Sequence, residues 1–232
     1  MTWRMRQGRE EELLLARVSE AAGRARLGRR RATHRAPATV TGIRRRRRRG
    51  GGRSASAGDR LDCYEHGVTA AVDGRIHVVR FDTTVVRRCR VLSARGFTRV
   101  CVLTDVDGER IVLRDGHFAH PEVWVPEIRR AVTQAQVPRA LAALARGERL
   151  DFGRVWITGD GIGSGRVSLR WPQVERIEIR TGTVAVRVAG RWHVWGSVAC
   201  GIPNSFVVHA LAEHLTGLPP KGAEPDAPQG HD

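Results

Sequence analysis

Lysine is almost missing from this sequence: of 40 basic residues in 232, only Lys221 is a lysine and arginine supplies the rest. Arginine's planar fork suits bidentate phosphate contacts, although a GC-rich coding sequence produces the same bias. Cysteine is also sparse. Cys63, Cys89, Cys101 and Cys200 form no C-x-x-C pair, and no continuous apolar h-region opens the sequence. A secreted disulfide framework is therefore not expected; reduced thiols in a cytoplasm are. No window approaches the roughly 20 apolar residues that a membrane-spanning helix needs. The best runs, near Val85 and Phe206, are short and interrupted by polar groups, so any membrane contact is expected to be peripheral. No recognisable catalytic motif is present, so the expectation is a non-enzymatic protein with no cofactor.

What is present is an uneven distribution of charge. Residues 1–60 hold 18 arginines against 5 acidic residues, a net +13, while the remainder holds 22 basic against 19 acidic residues, a net +3. The strongly basic character thus belongs to the first quarter. A 41% hydrophobic fraction leaves enough apolar material elsewhere for an ordinary core.

Periodicity divides the chain further. Residues 1–27 contain a short amphipathic helix over Glu10–Arg24, with Leu14, Val18 and Ala22 on one face. Alone it would be marginal, so it is expected to dock on another element. Residues 28–60 read as a disordered Arg-rich linker, because like charges repel and little apolar surface is available to bury. From Leu61 the pattern is β: residues 64–72, 75–81, 83–91, 98–104 and 109–113 are rich in β-branched side chains. Asp73-Gly74 and Asp107-Gly108 supply hairpin signals between them. A helix follows with Val125, Ile128, Val132 and Ala135 on one face; Pro138 is expected to start or kink a second piece that stops at Gly147.

The order then repeats. Strands are expected over 150–157, 166–171, 174–179, 183–188 and 191–198, and a helix over 204–216 ended by Gly217. Three anchors recur about 90 positions apart: Leu61-Asp62 as Leu150-Asp151, Gly74-Arg75-Ile76 as Gly165-Arg166-Val167, and Arg80-Phe81 as Arg170-Trp171. The fold class is therefore α+β, with two tandem bent antiparallel sheets over 61–146 and 147–217, each closed by a C-terminal helix, and a disordered tail over 218–232.

This element order, with the aromatic-then-aliphatic stretch Arg170–Ile177, resembles the pleckstrin-homology-like superfold and its bacterial and GRAM-type branches. More narrowly, Arg31–Pro37, Tyr64-Glu65-His66-Gly67, Pro138-Arg139-Ala140-Leu141 and Ile202-Pro203-Asn204 are similar to an uncharacterised actinobacterial family. The resemblance implies a fold and carries over no functional residue. In that superfold a phosphoinositide site usually sits at the first hairpin, where basic side chains converge. The turns assigned to it here, Glu65-His66-Gly67 and Asp160-Gly161, carry no basic cluster.

The candidate sites follow from charge and residue type. Arg44, Arg45, Arg46, Arg47, Arg48 and Arg49 form a block able to neutralise phosphates of nucleic acid or anionic lipid. Arg87, Arg88 and Arg90 could form a secondary basic patch, with Arg88 and Arg90 on one strand face. Asp115, His117 and His120 offer ligand types that suit zinc. Cys63 with His66, and Cys200 with His193, offer nucleophile and base types. Trp156, Trp171, Trp192 and Trp195 fall in apolar alternation and are expected to pack rather than stack on ligands. The reading favoured by the sequence is a binding or scaffold module for a protein partner, in the bacterial cytoplasm or held peripherally at the inner membrane surface. Its rivals are a nucleic-acid-binding protein using the arginine block and a metal-dependent protein using His117.

Overall fold

The computed structural model describes residues 2–36, 59–72, 74–93, 96–114, 117–180, 183–196 and 202–217. Helix α1 (Thr2–Arg24) is followed by the four-stranded antiparallel meander β1 (Arg30–Arg35), β2 (Arg60–Tyr64), β3 (Gly67–Val72) and β4 (Arg75–Arg80). A three-stranded meander, β5 (Val86–Ser93), β6 (Gly96–Thr104) and β7 (Arg110–Arg114), leads to helix α2 (Pro121–Ala145). The second half has the same plan. Strands β8 (Leu150–Phe152), β9 (Val155–Ile157), β10 (Gly161–Ser164) and β11 (Val167–Arg170) form a four-stranded sheet, and a 3-10 turn (Trp171–Gln173) follows. Strands β12 (Arg176–Arg180), β13 (Thr183–Val188) and β14 (Arg191–Gly196) form a three-stranded sheet, followed by helix α3 (Ser205–Thr216). The architecture is α+β. Among the described residues, no helix is long and apolar enough to cross a membrane.

The first half starts earlier than the sequence suggests. Arg30–Arg35, expected within a linker over 28–60, is a strand paired with β2 from Arg35↔Arg60 to Ala32↔Cys63. Its polar composition hides an alternation: Ala32 and His34 are half-buried, while Arg31, Thr33 and Arg35 are exposed. The rest of the expected linker, 37–58, and the expected tail, 218–232, lie outside the described residues.

Pairing fixes which positions of the two halves correspond. Gly67 opens β3 and faces Arg80; Gly161 opens β10 and faces Arg170. A Cβ on Gly67 would lie 2.1 Å from the Val79 carbonyl oxygen, and one on Gly161 would lie 2.3 Å from that of Leu169, so neither position admits a side chain. The amide of Phe81 bonds to His66 O and that of Trp171 to Asp160 O. Arg80-Phe81 and Arg170-Trp171 therefore occupy equivalent places, as do the turns at Gly74 and Gly165. Leu61-Asp62 and Leu150-Asp151 do not: the first lies on the second strand of its sheet and the other on the first. The equivalent of Leu61 is Val155, because Leu61 pairs with Ala70 as Val155 pairs with Ser164.

Local differences have local causes. Residues 150–157 are two strands joined by a tight turn at Gly153-Arg154, with Gly153 at φ 70°. The stretch Gly161–Ser164 is a strand rather than a turn, because its glycines serve close backbone approach. Helix α2 runs unbroken through Pro126 and Pro138, both on exposed positions, while Trp124, Ile128 and Val132 bury its other face. Helix α1 extends to Thr2 and packs on β3 and β4, and Ala22 of the helix with Leu27 just past its end meets Tyr64 at the end of β2. This covering explains why β2 and β3 are buried along their whole length, with core on one face and helix on the other.

One hydrophobic cluster spans both halves and includes Leu61, Leu103, Trp124 and Ile128 from the first and Ile157, Ile162, Val184 and Leu211 from the second. Each such fully buried aliphatic side chain contributes about 1.5–3 kcal/mol of transfer free energy. Asn204 joins the halves by polar contacts: its Oδ1 accepts from Val86 N at 2.6 Å, and its Nδ2 donates to Thr84 O and Gln136 Oε1. Gln136 in turn donates to Phe81 O and Thr84 O.

Candidate polyanion-binding loop and neighbouring polar sites

The pairing of β1 with β2 changes the place of the arginine block in the fold. Arg44 to Arg49 lie outside the described residues, but the segment that holds them, 37–58, joins two neighbouring strands. Its ends meet where Ala36 N donates to Asp59 O at 3.2 Å. The block is thus an insertion in the first hairpin of the first sheet and not a free N-terminal arm. The Glu65-His66-Gly67 turn, expected to close that first hairpin, closes the second one instead. In the second half the first hairpin closes through Gly153 and Arg154 alone.

The walls of the hairpin are basic and organised. Arg60 and Asp62 are buried beside Thr33, with Arg60 Nε and Nη2 donating to the two Asp62 carboxylate oxygens at 2.6 Å each. Arg30 Nη1 lies 3.9 Å from Asp62 Oδ1, and Arg35 reaches Glu11 of α1 at 2.7 Å. A groove lined by Leu15, Arg30, Thr33, Arg35, Arg60 and Ala119 opens at this end. Its exposed guanidiniums belong to Arg30 and Arg35.

The secondary patch lies on β5. Arg88 is exposed and Arg87 half-buried; Arg90, two positions beyond Arg88 on the strand, pairs with Arg99. A residue that the sequence did not single out joins them. Arg129 of α2 sits with its guanidinium carbon 5.5 Å from the Phe206 ring centroid, and burial together with the positive charge of Arg88 lowers its pKa. Neighbouring guanidiniums of this kind favour an anion between them.

The histidines of the expected zinc group point to different carboxylates. His117 is buried, with Nε2 3.5 Å from Asp59 Oδ2, whereas exposed His120 contacts Glu122 at 3.1 Å. Asp115 lies outside the described residues, as does Cys200. The other thiol candidate, Cys63, is in the core while His66 is exposed. Burial first, then the charges of Glu127 and Asp62, push the Cys63 thiol up to about 12. Without a metal ion, that environment holds it protonated at neutral pH, the opposite of an activated nucleophile. Of the tryptophans, Trp171 and Trp195 are buried, Trp171 donating to Thr158 O, and Trp156 lies beneath the Arg149 guanidinium. Trp192 is exposed.

Among the described residues, two clusters of ligand-type side chains become visible only in three dimensions. A ring nitrogen of His34, Cys63 Sγ and a Glu127 carboxylate oxygen lie within 4.8 Å of one another. His77, Asp105 and Glu109 form the other, with His77 Nδ1 2.9 Å from Asp105 Oδ2. The second cluster holds a loop in shape. Asp105 Oδ1 accepts the amides of Asp107 and Glu109 and so sets the β6–β7 turn, and Arg75 ties down Glu109. No local sequence signal could have found the first, since its members come from β1, β2 and α2.

Comparison with curated proteins and with solved structures finds no match for this chain. The model of a family of unknown function (DUF6585) matches residues 56–217, from just ahead of β2 to the residue that ends α3, and leaves β1 and α1 outside the match. With well over half of its length matched, the chain belongs to this family of unknown function, DUF6585.

Proposed function

We propose that this protein is a non-enzymatic binding module made of two tandem pleckstrin-homology-like domains, which docks on an anionic phospholipid surface through the arginine-bearing insertion between β1 and β2. The observation that carries the reading is the position of that insertion: in sequence the run Arg44 to Arg49 lies between β1 and β2, which pair as the first hairpin of the first sheet. In the superfold that the sequence resembles, a headgroup site usually sits at that hairpin. Exposed Arg35 at the loop's base, and exposed Arg30 at the far end of β1 along the same groove, extend the positive field. Arginines near a negatively charged membrane contribute about 1 kcal/mol each, so six give enough attraction for peripheral binding without a spanning segment. Docking at the inner face of a bacterial membrane, with a protein partner held by the rest of the body, fits this arrangement.

The test keeps the fold intact. Removing everything before Leu61 would also delete β1 and α1, so the loop arginines are replaced in place, Arg44 to Arg49 all by glutamine. Binding is measured by sedimentation with vesicles of phosphatidylcholine containing about one third phosphatidylglycerol. The intact chain is expected to bind with an affinity that falls steeply as salt rises, and the glutamine variant at least tenfold more weakly. Vesicle binding that survives the replacement would move the site to Arg88 and Arg129. Tight binding to duplex DNA at the same ionic strength, without vesicle binding, would replace this reading by the nucleic-acid one.

A further inference from the structure

We infer that His34, Cys63 and Glu127 form a site for a divalent cation of the zinc class. The internal repeat shows what the same plan places at these positions in the second half. Cys63 pairs with Val68 as Ile157 pairs with Ile162, and His34 pairs with Leu61 as Phe152 pairs with Val155. Helices α2 and α3 align through their N-caps, His120 and Asn204, both left-handed and both accepting the amides three and four residues on. On that alignment Glu127 corresponds to Leu211, as buried Trp124 corresponds to Val208 and Ile128 to Ala212. The second half thus puts Phe152, Ile157 and Leu211 where the first half has imidazole, thiol and carboxylate. Ile157 and Leu211 are fully buried, and Phe152 packs against the same core.

Replacing three apolar positions by polar groups is costly unless the groups gain partners. His34 Nε2 is buried and has no hydrogen-bond partner. Burial of Cys63 at 2% exposure removes water as a partner for the thiol. A divalent ion meets the needs of all three at once, since zinc takes cysteine sulfur, histidine nitrogen and carboxylate oxygen together in four-coordinate sites. Bonds of about 2.0–2.3 Å place such ligands roughly 3.3–3.7 Å apart. Atoms already within 4.8 Å of one another need close by only about 1 Å. The strand pair β1–β2 and helix α2 supply the ligands from rigid elements, and with three protein ligands a fourth position is left for water or another ligand. Through His34 the ion would also tie β1, the strand outside the family match, to the matched body.

The experiment uses the full-length untagged chain, loaded with Co(II) in place of Zn(II) and then dialysed. The expected result is one equivalent of cobalt and a near-ultraviolet thiolate-to-cobalt charge-transfer band. Cys63→Ser should abolish the band, and His34→Gln and Glu127→Gln, at half-buried positions, should each weaken cobalt binding at least tenfold with the circular dichroism unchanged. His77→Gln should alter neither. Failure to retain about one equivalent of cobalt, or a band that survives Cys63→Ser, overturns the site; so does binding lost with His77→Gln. If Cys63→Ser does not fold, the two glutamine variants decide, and unchanged affinity in both overturns it.

Discussion

The two halves of this protein follow one plan and fill it differently. Each is a four-stranded meander, a three-stranded meander and a helix, joined with the same glycine at the start of the third strand. Yet Asp59, Arg60, Asp62, Thr69 and His117 are all buried in the first half, while the second half buries only Glu178 and Asn204 among its described polar residues. Asn204 belongs to the junction. The first half also inserts residues 36–59 where the second turns in two. The second half therefore shows a more apolar filling of the same plan, and comparison with it locates the buried polar groups peculiar to the first half.

The contrast between the halves can be broken most sharply at Asp62, whose counterpart by pairing is Trp156. Asp62→Asn leaves the buried Arg60 guanidinium without its carboxylate and is expected to cost about 3–5 kcal/mol, read as a fall in the urea midpoint. Trp156→Ala, at a half-buried position, should cost markedly less. A loss below about 1 kcal/mol in Asp62→Asn would mean that the Arg60–Asp62 pair is dispensable. The glycine equivalence makes a matched prediction: Gly67→Ala and Gly161→Ala should each lose about 2–3 kcal/mol, because the added carbon meets a backbone carbonyl in both. A large loss at one and none at the other would show that the two sheets are not built alike.

Asn204→Ala sharpens the question of coupling. It removes bonds to Val86, Thr84 and Gln136 and should cost about 2 kcal/mol. Fluorescence of Trp124 and of Trp171, followed in single-tryptophan variants, should then report separated midpoints where the parent gives one. Coincident midpoints in the variant would assign the coupling to the shared apolar core instead. The smallest effect expected is on acid stability. The hydrogen-bonded Arg80 holds the Asp82 carboxyl below its ordinary pKa, with Arg139 adding to the effect. A lowered folded pKa gives stability that is fully present above the ordinary carboxylate pKa and is lost as the pH falls through the folded value. Asp82→Asn should therefore flatten part of the acid limb below about pH 4. The second half has Pro172 at this place and contributes nothing comparable.

Much of the fold could be read directly from the sequence, because β-branched runs and Asp-Gly turns are local signals. Gly74 and Gly108 do adopt the left-handed turn conformation that those dipeptides suggest. Strand β1 was hidden because its partner lies beyond an insertion, and its outward arginines mask the inward Ala32 and His34. Strand β10 was hidden because Gly161 and Gly163 serve close packing, and glycine is read by default as a turn. The continuity of α2 was lost to Pro138, whose cost the packed face of the helix offsets. Of the candidate residues, the basic run could be found by inspection, but its position inside a hairpin could not, since only strand pairing reveals it. His34, Cys63 and Glu127 are 29 and 64 positions apart along the chain, and nothing short of a register could have brought them together.

The hydrogen bond from Ala36 N to Asp59 O fixes both feet of the intervening segment at one point of the surface. A chain of 22 residues, 37–58, anchored in this way can extend outward only by about half its contour. At roughly 3.3–3.6 Å per residue that is no more than about 40 Å. A tail held at one end would sweep a radius twice as large and could trail in any direction. With both anchors at the Ala36–Asp59 contact, the farthest reach open to such a segment is half that of an equal length tied at one end only.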